Sequence, residues 1–171
     1  MNLSTRLRAA LLGAVLGWTC LGTALAAEPT IVYLTRHAEK ASETDQDPAL
    51  TKQGAARASN IAAVLASAGI RALYSTATSR TRQTAQPLAE KLALEIQAYD
   101  AKQADALVKK IKAARQTALV VGHSNTVPGL VKLFGGKAGT DIGDLEYDRL
   151  YQLIIAPNGK VTTVLLHSVA P

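Results

Sequence analysis

The sequence predicts an α/β fold, a three-layer sandwich with a mostly parallel, mixed central sheet flanked by helices. Three observations carry this. Short apolar runs rich in β-branched residues alternate with longer segments of helical period along most of the chain. Near the C-terminus the alternation gives way to two strand-like segments around Pro157-Asn158-Gly159. Asn-Gly tolerates positive φ and marks a hairpin, which adds an antiparallel edge. A hydrophobic share of 48% with only 4% aromatics calls for one aliphatic core, and 171 residues suit one domain.

The elements follow in order. Residues 1–26 read as a secretory signal peptide: Arg6 and Arg8 form the basic start, Ala9 to Trp18 the apolar stretch, and Ala24-Leu25-Ala26 the cleavage site. The apolar stretch is too short for a stable transmembrane span, so no stable membrane insertion is expected after cleavage. Gly17-Trp18-Thr19 before Cys20 is a poor lipobox. Residues 27–171 then form the working domain, secreted or periplasmic. It has no cysteine and therefore no disulfide.

Ile31 to Leu34 is a short buried strand within 30–35, followed by a polar loop over 41–49 that contains Pro48. Thr51 is placed to cap a helix carrying Ala55, Ala58, Ile61, Ala62, Leu65 and Ala68 at helical spacing, with Gly69 as its stop. Ile70 to Tyr74 is the second strand. A helix over about 80–92 presents Ala85, Leu88, Ala89 and Leu92 on one face, with Pro87 expected to limit or kink it. Leu94 to Ala98 is a third strand, Asp105 to Ala114 a helix, and Thr117 to Val121 the clearest buried strand. Val127 to Phe134 makes a short helix, Gly135 to Asp144 a glycine-rich loop, and Leu150–Ala156 and Val161–His167 the hairpin.

Charge narrows the function. The leader holds two arginines and no acid, so its removal leaves 17 basic against 13 acidic residues, a mild excess. No Lys/Arg run interleaved with aromatics appears, which excludes a nucleic-acid footprint; a small anionic partner fits better. There is no metal set, since the separated histidines lack ligand spacing, and no Walker loop, dinucleotide glycine loop or G-x-S-x-G elbow.

What stands out is where basic side chains fall. The first strand ends on Arg36-His37, the loop after the second leads to Arg80, and the buried strand before Gly122 ends on His123. Ligands of open α/β sheets bind at the carboxyl ends of strands. Two arginines and two histidines converging there form an anion trap: guanidinium binds phosphate oxygens in pairs, and a neutral imidazole can attack phosphorus. Ser124 and Asn125, next to His123, are candidate substrate contacts or caps of the following helix. Glu146-Tyr147-Asp148-Arg149 is a loop and strand start at the possible rim, and Lys40 a surface residue.

On these residues the chain resembles the histidine phosphatase superfamily, the phosphoglycerate mutase-like group of branch 1. Thr35-Arg36-His37-Ala38-Glu39 is similar to its RHG signature, with Ala38 in place of glycine. Leu50-Thr51-Lys52-Gln53-Gly54 is similar to its LTxxG helix start. Ser75 to Ala85, with Arg80 and Gln83-Thr84-Ala85, resembles its second-arginine segment, and Val121-Gly122-His123-Ser124 its second-histidine motif. The resemblance implies a metal-independent, cofactor-free phosphatase in which His37 forms a phosphohistidine and Arg36, Arg80 and His123 hold the phosphoryl group of a small phosphorylated substrate. It also implies a general acid between Arg80 and His123, for which Asp100 is preferred to Asp105. Ser124 after His123 disfavours the phytase branch, and the compact chain resembles SixA-like members. A non-catalytic phospholigand-binding module and a phosphomutase are the alternatives.

Overall fold

The computed structural model describes residues 28–170; the expected signal peptide and Cys20 lie outside the described residues. The elements are β1 (Thr30–Arg36), α1 (Lys52–Leu65), β2 (Ala72–Ser75), α2 (Ser79–Leu92), β3 (Ile96–Ala98), α3 (Ala104–Ala114), β4 (Ala118–Gly122), α4 (Val127–Phe134), β5 (Arg149–Ile155) and β6 (Val161–His167). A single 3-10 turn, Ala101–Gln103, leads into α3. The six strands form one sheet in the order β3-β2-β4-β1-β5-β6. β1, β2, β3 and β4 run parallel; on the other side of β1, β5 pairs antiparallel with β1 and β6 antiparallel with β5.

Strand residues alternate between two cores, as a period of two requires. Val32, Leu34, Ala72, Tyr74, Ala118 and Val120 face Leu107, Ile111, Leu130 and Phe134 of α3 and α4. Tyr33, Leu73, Leu119 and Val121 face Ile61, Leu65, Ala85 and Leu88 of α1 and α2. The helices that follow the adjacent strands β1 and β4 therefore leave to opposite faces. That divergence opens a crevice at the carboxyl ends of these two strands, the switch point of an open α/β sheet.

Two local expectations change. α2 passes through Pro87 as one helix. Proline costs only the bond to Gln83, which is exposed, so water can take the place of the lost donor. β3 is confined to Ile96–Ala98, because Leu94 is taken up in the α2 C-cap, donating to Ala89. Among the described residues, no helix is long and apolar enough to cross a membrane.

Candidate active site

The end of β1 is fixed to β4 beyond the sheet proper: His37 N–H donates to the Gly122 carbonyl at 2.9 Å. This sets the two histidines side by side, with ring centroids 5.4 Å apart and planes at 67°. His37 is almost completely buried. Its Nδ1 lies 2.7 Å from the Ala38 carbonyl. A carbonyl can only accept, so Nδ1 carries the proton and Nε2 keeps its lone pair. Burial, reinforced by the Arg36 and Arg80 charges and opposed by the Ala38 hydrogen bond, pulls the His37 pKa down to about 4. Burial, then Arg80 and Arg36, bring His123 to about 4 as well. Both rings are neutral near pH 7.

The two arginines share an unusual property. Arg36 Nε and Arg80 Nε are the buried side-chain polar atoms among the described residues that have no hydrogen-bond partner. Buried donors are nearly always paired, so two orphans beside two imidazoles mark a place shaped for an acceptor. Arg36 Nη1 is occupied, donating to the Gly143, Asp144 and Glu146 carbonyls at 2.8, 2.8 and 2.9 Å. The Arg36 guanidinium lies over the Tyr147 ring, 4.1 Å from Cζ to centroid, and that ring is 6.0 Å from the His37 ring. Arg80 Nη1 stands 3.7 Å from Asp47, whose carboxylate accepts from Ser79 N–H (2.8 Å) and Ser79 Oγ (2.6 Å) at the start of α2.

Buried threonines hold the frame. Thr76 Oγ1 lies 3.0 Å from His123 Nε2 and 2.9 Å from Thr81 Oγ1. Thr84 Oγ1 donates to the Arg80 carbonyl at 2.8 Å and accepts from Ala38 N–H at 3.0 Å, so α2 is bonded to the segment carrying His37. On the far side, Glu39 forms a partly buried ion pair with Arg57 of α1, at 2.7 Å. Gly54 is required where α1 meets that segment, because a Cβ there would stand 2.4 Å from the Glu39 carbonyl oxygen. Lys40 pairs with Glu43 at the surface.

Of the sequence candidates, Arg36, His37, Arg80 and His123 come together. Ser124 is half-buried and Asn125 exposed in the turn after His123, and neither caps α4: Thr126 takes that place, its Oγ1 accepting from His123 N–H at 2.9 Å. Asp100 stands apart from these four. It follows β3 at the sheet edge, three strands from β1, roughly 14 Å across at normal strand spacing. It is exposed, and its carboxylate accepts from Lys102 N–H at 2.8 Å to cap the 3-10 turn. Asp105 is exposed in the first turn of α3. Position between two motifs in sequence does not fix lateral position in a sheet whose strand order is permuted. Among the described residues, no carboxylate is hydrogen-bonded to either ring.

The sequence reading missed Tyr147's stacking on Arg36, the Asp47–Arg80 contact, the Thr76–Thr81–Thr84 frame and Arg57. The threonines left a trace, since 81 and 84 share a helix face in a hydroxyl-rich segment; the others left none. Among the described residues, no group of three or more His, Cys, Asp or Glu is placed to hold a metal ion. A groove of about 780 Å³, lined by Arg57, Gly143–Asp148 and Ser168–Ala170, includes neither imidazole.

Comparison with known proteins agrees with this architecture. The family model for the histidine phosphatase superfamily (branch 1) matches residues 32–103, from β1 past Arg80. No protein of curated function matches the sequence significantly. Similar solved structures include the mycobacterial glucosyl-3-phosphoglycerate phosphatase, 13% identical with a TM-score of 0.67, covering 82% of this chain and 100% of that one. They also include the protein histidine phosphatase SixA in complex with tungstate, 18% identical, TM-score 0.65, covering 81% and 96%. Bacillus stearothermophilus YhfR is 15% identical, TM-score 0.66, covering 79% and 95%. At such identities these likenesses establish the phosphoglycerate mutase-like fold.

Proposed function

Since this chain belongs to the histidine phosphatase superfamily, branch 1, we propose that it hydrolyses phosphorylated substrates through a covalent phosphohistidine on His37. The observation that carries this is the neutral His37, its Nδ1–H tied to Ala38, beside two orphaned guanidinium donors. A ring held in that tautomer needs no base to become a nucleophile. Nε2 attacks phosphorus as the bond to the leaving atom breaks. Arg36 and Arg80 hold the equatorial oxygens through their Nε edges, and His123 donates to a third oxygen as negative charge gathers there. Water then attacks the phosphorus, the P–N bond breaks, and His37 returns neutral with orthophosphate released.

Among the described residues, no carboxylate is hydrogen-bonded to His37 or His123, the rings that flank the reacting phosphorus in this reading. The reading therefore favours substrates whose leaving group departs easily, a protein phosphohistidine or an aryl phosphate, over an alkyl phosphate. That the solved relatives include a protein histidine phosphatase supports the same preference. Export belongs to this reading too: residues 1–26 are the leader, cut after Ala26, and 27–171 the catalytic domain.

The test is hydrolysis of an aryl phosphate by the mature protein in EDTA, with acid-quench trapping of labelled phosphate. His37→Ala should lose both turnover and label, by about a thousandfold or more in rate. Full activity in that variant refutes the role of His37. Phosphate binding without any turnover by the unaltered protein would instead make it a phospholigand-binding module.

A further inference from the structure

The rim beside Arg36 is built in layers. Nη1 of Arg36 meets three carbonyl oxygens of one short loop, those of Gly143, Asp144 and Glu146. Three carbonyl dipoles aimed at one point repel one another, and the nitrogen has only two hydrogens to offer. Such a cradle persists only if something else holds the loop in shape.

The Glu146 side chain does this. Its Oε2 accepts from Gly143 N–H at 3.2 Å, folding the loop onto itself, and from Arg149 Nη2 at 2.9 Å. Its Oε1 accepts from Arg149 Nε. Arg149 is buried and itself anchored. Its Nη1 donates to the Thr140 carbonyl at 2.7 Å and the Tyr151 hydroxyl at 3.1 Å; its Nη2 reaches Thr140 Oγ1 at 3.0 Å and the Asp141 carbonyl at 3.2 Å. Its main-chain carbonyl accepts from Thr35 Oγ1 of β1 at 2.9 Å, one residue before Arg36. A closed circuit therefore runs from β1 through Arg149, Glu146 and the 143–146 carbonyls back to the side chain of Arg36. Because Nη1 is engaged there, Nε and Nη2 remain as the edge that can meet two oxygens of one ligand.

We propose that the Glu146–Arg149 ion pair is the positioning device for Arg36: it shapes the carbonyl cradle that holds Nη1 and so presents the Nε–Nη2 edge to the phosphoryl group. This rests on the phosphatase reading above. Neither residue touches substrate, and both act through Arg36.

The experiment measures tungstate affinity by calorimetry and kcat/KM for an aryl phosphate in Glu146→Gln, Arg149→Lys, Arg36→Ala and the double variant Arg36→Ala/Glu146→Gln. Glu146→Gln and Arg149→Lys should each weaken tungstate binding and kcat/KM together, by about tenfold, as a misdirected charge-assisted fork would. In the Arg36→Ala background, Glu146→Gln should have no further effect, because the group it positions is gone. A merely structural role would lower activity equally in both backgrounds, and that additivity would overturn the proposal. So would unchanged tungstate affinity in both single variants. If tungstate binds the unaltered protein and Arg36→Ala abolishes binding, the phosphatase site stands whichever way the other variants behave. If the unaltered protein binds no tungstate, both readings fall together.

Discussion

Gly54→Ala is a change whose sign the structure reverses. Gly54 lies in the first turn of α1, where alanine normally stabilises a helix by about 1 kcal/mol over glycine. Here the added Cβ would stand 2.4 Å from the carbonyl oxygen of Glu39, 3.0 Å from its nitrogen and 3.2 Å from its carbonyl carbon. These are backbone atoms with little room to yield. The carbonyl accepts from Thr51 N–H at 2.9 Å, and the Glu39 side chain is clamped by Arg57. A contact this close with backbone puts the overpacking cost at about 2–3 kcal/mol, the upper part of the usual range, which outweighs the propensity gain. With a net loss of about 1–2 kcal/mol, the melting temperature should fall by roughly 3–6 °C for a domain of this size. The displaced segment carries His37 two residues earlier, so kcat/KM for an aryl phosphate should fall about tenfold or more. Gly129→Ala in α4 is the matched comparison: its Cβ would meet nothing within 4 Å. It should raise the melting temperature by about 3 °C, the ordinary helix gain, with kcat/KM unchanged. Thermal melts and steady-state rates on both variants decide the matter. A Gly54→Ala protein that melts higher and turns over normally would refute the steric argument.

Three more outcomes follow from the site. With His37 and His123 both near 4, kcat/KM corrected for substrate ionisation should hold from pH 7 down to about 5 and fall near pH 4; an acid limb at 6.5 would refute the buried neutral pair. The same depression links to stability. The unfolded chain takes up protons first as pH falls below 6.5, so this stability is complete above 6.5 and is lost as pH drops through about 4, which urea midpoints measured against pH will show. Asp100→Ala should leave kcat/KM within about twofold while lowering stability by roughly 0.5–1 kcal/mol through the lost cap. A collapse in turnover would mean that this carboxylate reaches the leaving group.

Much of the fold was legible because its signals are local. The β-branched runs, the helical spacing of Ala58, Ile61, Ala62 and Leu65, and the Asn158-Gly159 turn each report their own element without reference to the rest. The ends of strands were legible too, which is why Arg36, His37, Arg80 and His123 could be singled out. What the pattern could not carry was strand order. Asp100 sits between Arg80 and His123 in the chain, as an acid of this kind should, yet β3 is laid at the sheet edge while β4 is inserted between β2 and β1.

By itself, then, the amino-acid order determined the elements, their alternation between two cores, and the four basic side chains carried to the tips of three segments. Tertiary structure alone decided which atoms meet: the tautomer of His37 set by Ala38, the Glu39–Arg57 clamp, the Asp47–Arg80 contact, and the Glu146–Arg149 circuit around Arg36. The physical reason lies in range. Periodicity and turn chemistry act over a few residues and repeat, so they leave a readable trace. A single ion pair or hydrogen bond between segments 18 to 110 residues apart occurs once, and only packing of the finished sheet brings its partners within reach.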